Sequence, residues 1–259
     1  MTKVIFFDAD GTLISHAKNE VPQSAREALD MLKDKGIKRI LATGRHMLEL
    51  QDLPIRDISF DGYITVNGQL CLDEQGEIIW ESPISGEAKD ALIELFNEKQ
   101  LPITLTGKDR MYINFVNSYV EQAQAAVSSP VPQLGEYDGG EIYLAIAYLD
   151  KDGDEFIAQR LPGCKATRWN KYGVDIIAAT GGKIVGIKEY LRANSLSADD
   201  AMAFGDGEND IDMLKFVKTG VAMGNAADKI KACADFVAPS VDEDGIKRAL
   251  ENLGVIQDG

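Results

Sequence analysis

Val4-Ile5-Phe6-Phe7-Asp8-Ala9-Asp10-Gly11-Thr12 opens on four large apolar residues in a row and ends in two acids, a glycine and a hydroxyl. A short run that is apolar at every position, not at alternate ones, is the pattern of a strand covered on both faces. Lys3–Phe7 is therefore predicted as a buried strand of a parallel sheet. In such a sheet ligands gather beyond the carboxyl ends of the strands, which is where Asp8 and Asp10 fall. Two carboxylates so close repel each other unless a cation joins them, and a hard, oxygen-seeking ion such as Mg²⁺ suits them. Gly11 lets the backbone turn sharply there. The D-x-D-G pattern recurs at Asp150-Lys151-Asp152-Gly153 and Asp242-Glu243-Asp244-Gly245. Those copies follow no buried strand and read as a turn and the start of a helix.

Moving outward, Ala25, Ala28, Leu29 and Leu32 recur at helical spacing, with Pro22 before them and Gly36 after. Arg39–Thr43 reads as a second strand and Tyr63–Val66 as a third. Gly68 to Trp80 reads as a hairpin around Asp73-Glu74-Gln75-Gly76. Strand, helix and strand in short alternation predict a parallel sheet covered by helices. The rhythm then changes. Ser85 precedes a helical stripe of Ala88, Ala91, Leu92, Leu95 and Phe96, and three alternating runs follow at Met111–Phe115, Tyr143–Ala147 and Tyr172–Ile176. Alternation marks half-buried antiparallel strands, so 83–182 is predicted as an inserted α+β domain between core segments 1–82 and 183–259. From Lys183 the earlier rhythm returns: a helix through Ile184, Ile187 and Leu191, strands at Ala201–Phe204, Gly220–Met223 and Asp235–Ala238, and a last helix through Ile246, Ala249, Leu250 and Leu253.

The 259 residues carry a formal charge of −15, which disfavours nucleic acid and anionic membranes as partners. Cys71, Cys164 and Cys233 form no CxxC, so neither a disulfide scaffold nor a zinc site is expected. No apolar run reaches the length of a signal peptide or a membrane span, and the expected location is cytoplasmic.

Three further stretches can carry chemistry. Thr43-Gly44-Arg45 ends the second strand; a hydroxyl, a pliant backbone and a fork-shaped cation suit phosphate oxygens, although a strand-end turn fits the tripeptide equally well. Gly205-Asp206-Gly207-Glu208-Asn209-Asp210 follows another strand and gathers acids at its end, in the manner of a metal-ligand cluster. Lys183 lies at a helix start, where the macrodipole disfavours a cation unless it neutralises an anion; alone, it reads as a surface lysine. His16 and His46 lack partners at metal-ligand spacing and read as structural.

Asp8-x-Asp10-Gly11-Thr12, Thr43, Lys183 and Gly205-Asp206-Gly207-x-Asn209-Asp210, in that order and context, resemble the haloacid dehalogenase-like phosphatases. The insertion after the third strand, with Met223-Gly224-Asn225-Ala226 and Asp242-Glu243-Asp244-Gly245, resembles their Cof-type, class IIB branch. The resemblance implies a Rossmann-like α/β core with an inserted cap of the C2B type, and a Mg²⁺-dependent phosphatase for small phosphorylated metabolites, sugar phosphates foremost. It puts the nucleophile on Asp8 and the acid–base group on Asp10. It gives the metal to Asp8, the Asp10 backbone carbonyl and Asp206, with Asp210 bracing that shell. It assigns phosphate or substrate to Thr43, Gly44, Arg45 and Lys183. It has Asn209 contact phosphate or orient Lys183. The cap is expected to close over the site and choose the leaving group, with Arg110, Tyr112, Tyr143, Arg168, Trp169 and Tyr172 as candidate selectors or as ordinary strand residues. A phosphomutase of the same fold and a non-catalytic phospho-ligand sensor are the alternatives; oligomeric state is not legible.

Overall fold

The computed structural model describes residues 2–127 and 129–257. It divides into two compact units, Met1–Glu81 with Lys183–Gly259, and Ser82–Gly182. In the first, β1 (Val4–Phe7) is wholly buried because each face meets a different core. Ile5 and Phe7 join Ala25, Leu29 and Leu32 of the helix Gln23–Asp34 and Ile246 and Leu250 of the helix Gly245–Asn252. Val4 and Phe6 join Ile187 and Leu191 of the helix Lys183–Ala193 and Met213 and Leu214 of the helix Ile211–Phe216. Each of these side chains larger than alanine contributes about 1.5–3 kcal/mol by leaving water. The chain continues through β2 (Lys38–Ala42), β3 (Gly62–Thr65), β4 (Leu70–Asp73) and β5 (Ile78–Glu81), the last two forming the predicted hairpin.

The inserted unit is a six-stranded sheet with its own core. Its strands are β6 (Ile103–Thr106), β7 (Met111–Ile113), β8 (Gln133–Leu134), β9 (Leu144–Tyr148), β10 (Cys164–Arg168) and β11 (Gly173–Ala178), in the spatial order β10-β11-β9-β6-β7-β8. All neighbours are antiparallel except β7 and β8. The run expected to reach Phe115 stops at Ile113, because the Asn114 side chain turns back into the core. Its Oδ1 accepts from the Ile103 N–H at 2.8 Å and its Nδ2 donates to the Phe96 carbonyl at 2.8 Å. Ser85 stands at the N-cap of the helix Gly86–Glu98 without a side-chain capping bond. The turn expected at Asp150–Gly153 runs on into a helix, Asp154–Arg160, whose Ile157 enters the core.

After the insertion come β12 (Ala201–Gly205), β13 (Thr219–Ala222) and β14 (Phe236–Val237). The first unit's sheet has the order β14-β13-β12-β1-β2-β3-β4-β5, parallel from β14 to β3. This is the predicted α/β arrangement, and β1 lies at its middle with Phe7 opposite Phe204 on β12. Among the described residues no helix is long and apolar enough to cross a membrane, and all three cysteines are free.

Candidate active site

Because β1 and β12 run side by side in parallel, the residues just past their ends are neighbours: the Asp8 N–H donates to the Phe204 carbonyl at 3.0 Å. Carboxylate oxygens of Asp8, Asp206 and Asp210 lie within 4.8 Å of one another. Lys183, only 1% exposed, reaches into this group. Its Nζ donates to Asp8 Oδ1 at 2.5 Å and to Asp210 Oδ1 at 2.7 Å. The lysine is the first residue of its helix, and the two anions offset the adverse macrodipole there. The surface position that its isolated reading suggested is thus corrected.

Asp210 is fully buried and fully engaged. Its Oδ2 accepts the N–H groups of Asp206 at 3.0 Å and Gly207 at 2.8 Å, so it shapes the loop that presents Asp206. Asp206 Oδ1 accepts from the Thr12 hydroxyl at 3.0 Å. The Asn225 Nδ2 donates to the Gly11 carbonyl at 2.9 Å and lies 3.3 Å from Asp206 Oδ2, while its Oδ1 accepts the Val241 N–H. Gly11, at φ +82°, is required by the close approach: a Cβ there would stand 2.2 Å from Asp206 Oδ2.

Burial pushes the Asp8 carboxyl well above the ordinary carboxylate range; Lys183 opposes this, and the charges of Asp210 and Asp206 add to it. Asp206 is pushed up to about 7, first by burial and then by Asp210. Burial works against the charge on Lys183, but Asp210 and Asp8 outweigh it and hold the ammonium above its usual range. Three carboxylates against one ammonium leave an excess of negative charge on hard oxygen donors. That excess fits a small divalent cation such as Mg²⁺.

Beyond the end of β2, Thr43 is buried and its hydroxyl oxygen accepts the Arg45 N–H at 3.1 Å. The Arg45 fork closes on Asp10, with Nε to Oδ2 and Nη2 to Oδ1 both at 2.9 Å, and its Nη1 reaches Glu49 at 3.3 Å. Glu49 is in turn fixed by the His46 N–H at 2.8 Å, and the Nδ1 of this buried histidine accepts the Leu48 N–H at 3.2 Å. Burial raises the Asp10 pKa, but the Arg45 bonds and charge prevail and hold it below the ordinary value. Consequently the Asp10 side chain is no part of the convergence of Asp8, Asp206 and Asp210. The Asn209 Nδ2 donates to Asn67 Oδ1 at 2.9 Å.

From residue 5 to residue 250 the sequence matches the haloacid dehalogenase-like hydrolase family. The chain belongs to that family. YkrA of Bacillus subtilis (strain 168) is 31% identical over 259 residues, covering 99% of each chain. The pyridoxal phosphate phosphatase YbhA of Escherichia coli (strain K12) is 27% identical over 268 residues, covering 95% of this chain and 96% of YbhA. Among solved structures, BT1666 from Bacteroides thetaiotaomicron, one of the superfamily's phosphatases, has a TM-score of 0.89 at 34% identity over 99% of this chain and 96% of its own. The class IIB sugar phosphatase BT4131 has a TM-score of 0.88 at 32% identity over 98% of this chain and 100% of its own. The protein is therefore a haloacid dehalogenase-like phosphatase, a hydrolase of phosphoric monoesters.

In this hydrolase the residues named from sequence as possible selectors are bound up within the inserted unit. Arg110 pairs with Asp138, and Tyr112 packs edge-on against Phe96. Tyr143 is buried, and Tyr172 stacks on Tyr119 with ring centroids 4.5 Å apart. Arg168 holds Asp154 and the carbonyls of Leu149, Asn170 and Lys171. A Cβ on Gly173 would meet the Trp169 ring at 2.4 Å, so that indole covers a strand backbone. Thr12, Glu49, Asn67 and Asn225, which carry bonds in the site, were not singled out from sequence as site residues. The signals were present: Thr12 closes the first motif, and Asn67-Gly68 is a dipeptide of left-handed turns.

Proposed function

We propose that this phosphatase works through an aspartyl-phosphate on Asp8, with Mg²⁺, on small phosphorylated metabolites of which sugar phosphates are foremost. The observation that carries the reading is the buried Asp8 carboxylate, held by Lys183 at 2.5 Å beside Asp206 and Asp210. An Asp8 oxygen attacks phosphorus, the ester P–O bond breaks, and the leaving alkoxide takes a proton from Asp10, which for this step must give up its fork to Arg45 and enter the cycle protonated. Asp10 then accepts a proton from the water that attacks the phosphoryl group, releasing inorganic phosphate and restoring Asp8. Lys183 holds a phosphoryl oxygen with a compact charge, and Thr43 donates its hydroxyl to another. Asp8, Asp206 and the Asp10 carbonyl would hold Mg²⁺, which when bound supplies positive charge against the phosphoryl oxygens. The preference for sugars rests on the similarity to BT4131, a sugar phosphatase.

The test is phosphate release from p-nitrophenyl phosphate with and without Mg²⁺, followed by a panel of hexose, pentose and nucleotide phosphates. Asp8→Asn should abolish turnover with the fold intact; near-normal turnover in that variant would exclude Asp8 as nucleophile. Isomerised sugar phosphate with negligible free phosphate would instead identify a mutase.

A further inference from the structure

Past the end of β3 the chain makes three successive left-handed residues, Val66, Asn67 and Gly68, at φ 47°, 56° and 89°. A β-branched residue in that region is an outlier that persists only where its surroundings dictate it. Here they do. The Val66 N–H donates to the Arg45 carbonyl at 3.0 Å and the Asn67 N–H to the Thr43 carbonyl at 3.1 Å. The turn is thus fastened to the Thr43–Arg45 loop through the backbone, and all three of its residues are buried.

The turn aims one polar side chain into the site. Asn67, 4% exposed, lies against Gly44 so closely that a Cβ on Gly44 would stand 3.2 Å from its Oδ1. The same Oδ1 accepts the Asn209 Nδ2 at 2.9 Å, across 142 residues of sequence. Asn67 is the side chain that joins the loop after β2 to the loop after β12.

We propose that Asn67 is a positioning residue of the phosphate site, fixing the Asn209 carboxamide through its acceptor oxygen; this rests on the reading of Asn209 as a phosphate contact. The strained turn is the device that delivers the acceptor, since a relaxed backbone at 66–68 would withdraw it.

Asn67→Gly tests this directly, because glycine keeps the left-handed backbone and removes only the carboxamide. Calorimetric titration with inorganic phosphate in Mg²⁺ is the readout, in the wild-type and Asn209→Ala backgrounds, with thermal unfolding of each. Asn67→Gly should weaken phosphate binding roughly three- to tenfold in the wild-type background. It should cost nothing further once Asn209 is alanine, since the interaction is then already gone. Wild-type affinity in Asn67→Gly, an equal loss in both backgrounds, or loss of the native fold would each overturn the proposal, as would a wild type that does not bind phosphate. Because the readout is binding, a protein that binds phosphate but releases none from esters would refute the hydrolytic reading and leave this one standing.

Discussion

Replacing Lys183 by methionine, which keeps the length of the side chain and removes its charge, isolates what the buried ammonium does. It leaves Asp8 and Asp210 facing each other with oxygens no more than 4.8 Å apart. At an effective dielectric constant of about 20, two unit charges at that separation repel by roughly 3.5 kcal/mol. The alternative is for one acid to take a proton, which at pH 7 costs roughly 4 kcal/mol against an ordinary pKa of about 3.9. The protein adopts the cheaper course, so the metal-free variant should lose about 3–4 kcal/mol at pH 7, in line with the cost of breaking a buried pair. At pH 5 protonation costs only roughly 1.5 kcal/mol, and the deficit should shrink by about 2 kcal/mol. Urea unfolding in EDTA at the two pH values measures both numbers, and added Mg²⁺ should restore part of the loss. A deficit under about 1 kcal/mol at pH 7, or one equal at both pH values, would refute the idea that Lys183 is the counter-charge of this cluster.

Three other outcomes are expected. Gly11→Ala drives a Cβ onto Asp206 and strains a φ of +82°; Mg²⁺ affinity by calorimetry should fall at least about tenfold, and unchanged affinity would remove Asp206 from the metal site. Arg45→Ala frees both Asp10 oxygens, so kcat should fall roughly tenfold to a hundredfold while the Kd for inorganic phosphate changes little; a collapse of phosphate affinity would show that Arg45 grips substrate. The third concerns pH. Asp206 titrates near 7 in the folded protein, so between about pH 4 and 7 the metal-free fold keeps a proton that the unfolded chain has lost. Stability therefore falls as pH rises through that window, by up to about 1.4 kcal/mol per unit. The difference between wild type and Asp206→Asn should show this slope, Mg²⁺ should flatten it, and a slope of the opposite sign would contradict the assigned burial.

The core of the fold was legible because β1 and β12 advertise themselves: Val4–Phe7 and Ala201–Gly205 are short, apolar throughout and followed by acids. In the inserted unit β10 is mostly half-exposed and polar, and β8 is two exposed residues, so neither leaves a periodic mark. The chemistry was readable to the extent that it lay in contiguous motifs. Lys183 alone looked like any lysine, because what buries it are partners 175 and 27 residues away. Arg45 carried the chemistry for an anion, but its pairing with Asp10 was not legible: its spacing to Glu49 is helical, whereas Asp10 is brought to it only by strand order. Asn67 was hidden by context, in a turn whose conformation no local propensity of Val66 would suggest.

The middle position of β1 has a consequence for biosynthesis. Its neighbour β12 ends at Gly205, so one side of the earliest strand stays without its hydrogen-bonding partner while nearly 200 residues are translated, on the order of 10–40 s at ordinary elongation rates. Throughout that interval the nascent chain presents a bare apolar edge, whereas the contiguous stretch Ser82–Gly182 has all six strands of its own sheet to hand once it clears the ribosome. Slowing translation beyond residue 182 should therefore prolong that exposure and lower the yield of active protein, and a chaperone bound to the first 80 residues should restore it.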